Sequence, residues 1–68
     1  AAGEHAQIVQ CAHRIKGTSL MLGANALADS CARMETAGAI RDDEALRQAM
    51  EVFETELQAL HRYFDKVL

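Results

Sequence analysis

The sequence has no proline, no tryptophan, and only one tyrosine and two phenylalanines. The absence of proline leaves long helices unbroken, and abundant alanine, leucine, glutamate, arginine and methionine favour helix throughout. No segment alternates polar residues with β-branched or aromatic ones, so we predict no strand. The sequence also lacks internal repeats, low-complexity tracts and interdomain linkers. We therefore expect one small all-α domain over residues 1–68, a partial one for the reason given below.

Clusters of one charge are also absent. Seven lysines and arginines oppose ten aspartates and glutamates, which gives a net charge of −3, and the basic residues are scattered. Nucleic-acid binding needs a basic patch, so we expect no nucleic-acid partner. The longest apolar run, residues 19–24, is far short of the ~20 residues that span a bilayer, which predicts no membrane contact by this segment. Two cysteines are few for a secreted scaffold and favour free thiols in a reducing cytoplasm.

Apolar spacing predicts an antiparallel, up-down bundle with three helices in this chain. Asp42 and Asp43 suit the start of the last helix, because acidic side chains favour the N-cap and first turn. Gly23 and Gly38 suit the ends of the first two helices, because glycine adopts the left-handed conformation without strain. The helices are expected at about 4–22, 24–37 and 42–67.

Each helix has an apolar face that we expect to form the core. In the last helix this face repeats at alternating spacings of four and three residues, as in a packed bundle. The expected core positions are Ile8, Cys11, Ala12, Ile15, Ser19 and Leu22 in the first helix, Leu27, Cys31 and Met34 in the second, and Leu46, Met50, Phe53, Leu57, Leu60, Phe64 and Val67 in the third.

One segment of the first helix departs from good helix design. Gly17 lies mid-helix, at a cost of about 1 kcal/mol relative to alanine, and two hydroxyl residues follow it. His13, Lys16 and Gly17 are helical neighbours, and Leu20 lies on the same outward face. Imidazole is a good nucleophile at neutral pH, and Lys16 would partly neutralise a phosphoryl group. The glycine would let another protein's active site approach the ring, so the segment indicates phosphoryl transfer between proteins.

Simpler interpretations of these residues exist. A single histidine is most often an ordinary surface residue, and we interpret His5 and His61 in that way. Cys11 with His13, or His61 with Asp65, supplies only two ligands where zinc requires three or four, so we predict no metal site. Both cysteines lie on the expected core faces, where we expect them to pack as small apolar side chains without a redox role.

The sequence around His13 closely resembles a known family, the histidine phosphotransfer (HPt) domain of multistep two-component phosphorelays. The family pattern is A-H-x-L-K-G-[ST]-[SA], a later L-G-A, a leucine, and then C-x-x-L-E. Ile15 and Met34 stand where that pattern has leucine, and both replacements are conservative. The resemblance covers about residues 4–67. The matching segments are Ala12-His13-Arg14-Ile15-Lys16-Gly17-Thr18-Ser19, Leu22-Gly23-Ala24, Leu27, Cys31 and Met34-Glu35.

The resemblance implies a phosphoryl carrier without kinase activity of its own. His13 would accept a phosphoryl group at Nε2 from a receiver-domain aspartate of a hybrid kinase and pass it to a response-regulator aspartate. Lys16 would neutralise the phosphate and Gly17 would give clearance. We expect no cofactor or metal in this chain, because Mg²⁺ belongs to the receiver's acidic pocket. The expected receiver-docking residues are Arg14, Leu20 and Met21.

HPt domains are usually four-helix bundles, and this chain begins close to the histidine helix. We therefore expect a fourth helix to be missing or supplied by a partner, with self-association as one way to complete the bundle. The expected context is the C-terminal module of a hybrid sensor kinase, in the cytoplasm or as the cytoplasmic part of a membrane-anchored kinase; a free-standing carrier stays open. The competing function is a non-catalytic helical interaction or dimerisation module in which His13 is incidental.

Overall fold

Three helices make up residues 2–68, the part of the chain that the computed structural model describes, with side chains described from Glu4 onward. They are α1 (Ala2–Met21), α2 (Asn25–Ala39) and α3 (Asp43–Val67), and no strand occurs among these residues. The all-helical prediction is confirmed, and every helix boundary lies within two residues of its expected position. None of the described helices is both long enough and apolar enough to cross a membrane.

The turn after α1 and the start of α3 use the residues that the sequence predicts. Gly23 has a φ of 76°, in the left-handed region, and the turn is closed by the Ala24 amide, which donates to the Ser19 carbonyl at 2.8 Å. Asp42 caps α3, and its side chain accepts a hydrogen bond from the Ala45 amide at 3.0 Å. Both chain reversals are therefore fixed locally.

Gly38 does not end α2, contrary to the prediction. The helix continues to Ala39, and the residue with positive φ in this turn is Arg41, at 58°. Gly38 is buried against α1, where an added Cβ would lie 2.7 Å from Cγ2 of Val9. This glycine is therefore required for the close approach of two helices rather than for helix termination.

The core forms around α2, because α1 and α3 each pack against α2 rather than against each other. A contact does join α1 and α3 at their N-terminal ends, where His5 Nε2 lies 2.6 Å from Asp43 Oδ1. His5 is half-buried by this contact and is not the ordinary surface residue that we expected. The core consists of Ala12, Cys31, Met34, Ala37, Leu46 and Ala49, with Ile8, Ala45 and Phe53 packed against it.

The expected core face of α1 is only partly buried. Ala12 and Ser19 are buried as predicted, whereas Cys11, Ile15 and Leu22 are exposed. The reason is that α3 packs on α2 and leaves the side of α1 that faces α3 uncovered. Leu22 lies after the last residue of α1, in the turn, and therefore does not contribute to the core.

The expected core stripe of α3 is buried only near its start. Leu46 is buried, but Leu57 is 45% exposed and Val67 is 57% exposed. The cause is helix length, because α2 has 15 residues and α3 has 25, about 22 Å against 37 Å at 1.5 Å per residue. The C-terminal part of α3 extends past α2, so the core prediction was also wrong for Phe64. It was wrong for Met50 for another reason, because Met50 is 40% exposed in the open space between α1 and α3.

Candidate functional site

His13 lies in the middle of α1, beside α2, with its side chain 74% exposed. Its Nδ1 atom lies 3.1 Å from Oε1 of Glu35 on α2. A carboxylate can only accept hydrogen bonds, so Nδ1 carries the proton and donates to Glu35. The neutral ring then has its lone pair on Nε2, which has no hydrogen-bond partner among the described residues. The contact with Glu35 therefore selects the tautomer in which the exposed nitrogen is the nucleophile.

Lys16 lies one helical turn after His13 and contacts the same carboxylate. Its Nζ atom donates a hydrogen bond to Oε2 of Glu35 at 2.8 Å, and its side chain is only 27% exposed. We expected this lysine to project outward beside the histidine. The structure instead places it against α2, half-buried, because its ammonium group pairs with a carboxylate across the helix interface.

Glu35 connects the two predicted site residues, and the sequence analysis gave it no role beyond its place in the motif. The ammonium group of Lys16, followed by the hydrogen bond from His13, holds the pKa of the Glu35 carboxyl below its usual range. Glu35 is thus ionised at neutral pH and able to accept from both partners. A signal was present in the sequence, because Leu27, Cys31 and Glu35 repeat every four residues and continue a buried stripe of α2 into a carboxylate.

Gly17 leaves the surface next to His13 open. A Cβ added at Gly17 would meet no atom of the described chain within 4 Å, so nothing in the packing of the helices requires glycine there. Thr18 and Ser19 both donate to backbone carbonyls one turn back in α1, at 3.3 and 2.7 Å, and Ser19 is buried. Their hydroxyl groups therefore satisfy the backbone rather than extend the site.

The residues expected to contact a receiver lie along the exposed side and C-terminal end of α1. Arg14 is exposed, Leu20 is 57% exposed, and Met21, the last residue of α1, is 89% exposed. Leu20 and Lys16 line the same shallow depression between α1 and α2. The structure thus places apolar surface about two turns from His13 on the same helix.

The remaining titratable groups form no second cluster. His61 is 80% exposed and lies 3.7 Å from Asp65 on its own helix, as expected of a surface histidine. Among residues whose side chains are described, no three histidine, cysteine, aspartate or glutamate residues are placed to hold a metal ion. Cys11 and Cys31 are both free thiols, and burial raises the pKa of the Cys31 thiol, with the Glu35 charge adding to the shift.

A comparison with protein families agrees with this geometry. The family model described as "Hpt domain" matches residues 1–63, nearly the whole chain. A search of curated proteins and a search of solved structures gave no significant match. An all-helical chain with an exposed histidine on α1, matched over almost its entire length, belongs to the Hpt domain family, whose role is phosphotransfer in two-component signalling.

Proposed function

We propose that His13 accepts a phosphoryl group from an aspartate of a receiver domain and passes it to an aspartate of a response regulator. The observation that carries this proposal is the contact of His13 Nδ1 with Glu35, because in the neutral ring it assigns the free lone pair to Nε2 of an exposed side chain. No other histidine of the chain combines such exposure with a carboxylate held on a neighbouring helix, among the side chains described. His61 pairs only within its own helix, and His5 is half-buried.

The chemistry of both steps follows from this placement. The Nε2 lone pair of His13 attacks phosphorus, the P–N bond forms, and the bond from phosphorus to the aspartate oxygen breaks as the carboxylate leaves with its electron pair. The ring keeps its Nδ1 proton and becomes cationic, and the Glu35 carboxylate lies 3.1 Å from that nitrogen. The second step is the same exchange in reverse, with the carboxylate of the second receiver as nucleophile.

Lys16 and Gly17 have supporting roles in this proposal. A phosphoryl group adds about −1.5 to −2 charge, and Lys16 would share its ammonium group between that charge and Glu35. Gly17 has open space around its Cβ position, so a receiver can approach the ring along this side of α1. Arg14, Leu20 and Met21 would form the surface on which the receiver docks, since all three are exposed.

The context of the reaction belongs to the same proposal. We place the Mg²⁺ ion in the acidic pocket of the receiver, so that this chain contributes the nucleophile and no metal ligand. The expected setting is the cytoplasm, as a module of a hybrid sensor kinase, and the free thiols of Cys11 and Cys31 fit a reducing compartment. The chain itself would act as a carrier without kinase activity.

The test is transfer from a phosphorylated receiver domain. The chain, incubated with such a receiver, is expected to gain phosphate that is acid-labile and alkali-stable, as phosphohistidine is. His13→Gln should abolish the label. The matched control is His61→Gln, which removes another exposed histidine and should leave labelling unchanged. Label that persists in His13→Gln would refute the assignment.

A second variant tests access rather than chemistry. Gly17→Leu should leave helicity intact, because nothing lies within 4 Å of its Cβ position, yet it should block transfer by occupying the approach to His13. Helicity is measured by circular dichroism and transfer by the same phosphate assay. Transfer at the normal rate in a folded Gly17→Leu variant would show that clearance is not the function of this glycine.

A further inference from the structure

Two cationic side chains of α1 lie next to His13 in the sequence, and only one of them is already paired. Lys16 gives its ammonium group to Glu35, with Nζ 2.8 Å from Oε2. Arg14 is exposed, and its guanidinium group makes no hydrogen bond or ion pair with any residue that the structure describes. Arg14 is therefore the cation beside His13 that is available to a new anion.

The charges around His13 do not balance once a phosphoryl group is attached. In the unmodified site the ammonium group of Lys16 offsets the carboxylate of Glu35, and the neutral ring adds no charge. A phosphoryl group brings about −1.5 to −2, of which the ring, cationic after the transfer, offsets about one. Because Lys16 and Glu35 together stay neutral, a net negative charge is left on the exposed side of the ring.

The open surface at Gly17 lies between His13 and Arg14. At about 100° per residue, Arg14 is about 100° around α1 from His13, and Gly17 is about 40° around in the same direction. A helical side chain leans toward the N-terminus and covers the turn before its own Cα. A side chain at position 17 would therefore cover the space between the imidazole and the guanidinium group, and glycine leaves that space empty.

We propose that Arg14 binds the phosphoryl group on Nε2 of His13, across the open surface at Gly17. A guanidinium group carries parallel N–H donors that match the oxygens of a phosphoryl group. Consecutive residues of a helix do not face each other, which explains why Arg14 makes no hydrogen bond with the bare ring. A phosphoryl group projects outward from Nε2 and brings charged oxygens within range of a long arginine side chain. This role goes beyond docking, and it rests on the proposed function of His13.

The two cations then have different tasks. Lys16 is only 27% exposed and holds Glu35, which in turn contacts the ring. Its ammonium group also holds the pKa of the Glu35 carboxyl below its usual range, so the carboxylate stays charged and keeps its partner. If Lys16 moved fully to the phosphoryl group, the charge of Glu35 would be left without a partner. Arg14 has no such partner to lose, so its binding costs only the ordering of an exposed side chain.

The test uses phosphoramidate, a small phosphoryl donor that has no docking surface. Nε2 of His13 attacks phosphorus, a P–N bond to the ring forms, and the P–N bond of the donor breaks as ammonia leaves with the electron pair. Phosphorylated His13 is followed by ³¹P NMR and identified by the loss of its signal in His13→Gln. Arg14→Gln should be labelled roughly two- to fivefold more slowly, which is what one exposed charge contact contributes.

Two further variants show whether the position and the charge of Arg14 matter. Arg14→Lys keeps the charge and should recover part of the rate, because an ammonium group lacks the paired donors of the guanidinium group. The matched control is Arg33→Gln, which removes a 65% exposed arginine two residues from Glu35, on the opposite side of α2, and should be labelled at the wild-type rate. Circular dichroism checks that all variants remain helical.

A pH titration of the ³¹P signal provides a second readout. A nearby cation favours the doubly charged form of the phosphoryl group, so Arg14→Gln should raise the pKa of that group, and Arg33→Gln should leave it unchanged. An unchanged labelling rate together with an unchanged phosphoryl pKa in Arg14→Gln would overturn the inference while leaving phosphorylation of His13 intact. An equal loss of rate in Arg33→Gln would attribute the effect to net charge and would overturn it as well.

A receiver domain as donor separates phosphoryl binding from docking. If Arg14→Gln slowed transfer from a phosphorylated receiver but not labelling by phosphoramidate, Arg14 would act in docking alone and the inference would be wrong. A wild-type chain that takes no phosphoryl group at His13 from either donor would overturn the proposed function and this inference with it.

Discussion

Replacing Glu35 by glutamine should slow phosphoryl transfer through His13 without unfolding the chain. The carboxylate accepts from His13 Nδ1 with one oxygen and from Lys16 with the other, and glutamine has only one oxygen. If that oxygen serves the ammonium group of Lys16, the amide NH₂ faces Nδ1 of His13. A donor at that position favours the tautomer with the proton on Nε2, which removes the nucleophilic lone pair.

The magnitude follows from the loss of one orienting hydrogen bond. Removing a group that fixes the ring orientation of a functional histidine typically costs about tenfold to a hundredfold, which is roughly 1.4 to 2.7 kcal/mol at 1.36 kcal/mol per tenfold. The cationic phosphohistidine also loses the charge of Glu35 beside Nδ1. The effect on folding should be smaller, about 1 kcal/mol, because the pair of Glu35 and Lys16 is partly exposed.

The assay is single-turnover transfer from a phosphorylated receiver, with rates corrected for the folded fraction. Asp29→Asn is the matched control, since it also turns a carboxylate of α2 into an amide, in a pair with Arg33 that is about two-thirds exposed. The control should transfer at the wild-type rate. A Glu35→Gln rate within twofold of wild type would refute the argument that this carboxylate selects the reactive tautomer.

Three further predictions concern stability and thiol reactivity. Gly17→Ala should raise the free energy of unfolding by about 0.5–1 kcal/mol, because the added Cβ meets open space. Gly38→Ala should lower it by about 1 kcal/mol, because the added Cβ would lie 2.7 Å from a valine of α1. Urea denaturation measures both values, and an equal gain in the two variants would contradict this packing. Since the pKa of Glu35 is lowered on folding, its stabilising contribution is present above the usual glutamate pKa and is lost as the pH falls through the lowered value. The stability difference between wild type and Glu35→Gln should therefore shrink in acid, and a difference that grows in acid would reverse this linkage. The exposed Cys11 should react rapidly with a thiol reagent. Cys31 is buried, and burial raises the pKa of its thiol, so it should react only at the rate of unfolding. Equal reaction rates of the two thiols would contradict the burial of Cys31.

The features that the sequence predicted well are those fixed by neighbours in the chain. Gly23 ends α1 because its own φ is positive, and Asp42 starts α3 because its side chain bonds an amide three residues on. The exposed position of His13 also follows from spacing along one helix. Such features need no knowledge of how the helices are arranged.

The features that the sequence missed depend on contacts between helices. Gly38 looked like a helix terminus, but its role is to admit Val9 of the neighbouring helix. Lys16 looked free because its partner, Glu35, is 19 residues away, on another helix. The periodicity of α3 marked Leu57 as a core position, and it could not reveal that α2 ends too early to cover it.

The two faces of α1 explain why one short helix can combine these properties. Residues at the spacing of His13, Lys16 and Leu20 face one side, where α2 supplies Glu35 and leaves the imidazole open. Residues at the spacing of Cys11 and Ile15 face the opposite side, toward the open space between α1 and α3. Among the described residues, α1 packs on α2 and meets α3 through His5 and Asp43, so the side of α1 that carries Cys11 and Ile15 is separate from the surface that a receiver would use. Substitutions on the Cys11 side should therefore change stability, while substitutions around His13 should change transfer, and a variant of either face that altered both would show that the two surfaces are coupled through the helix.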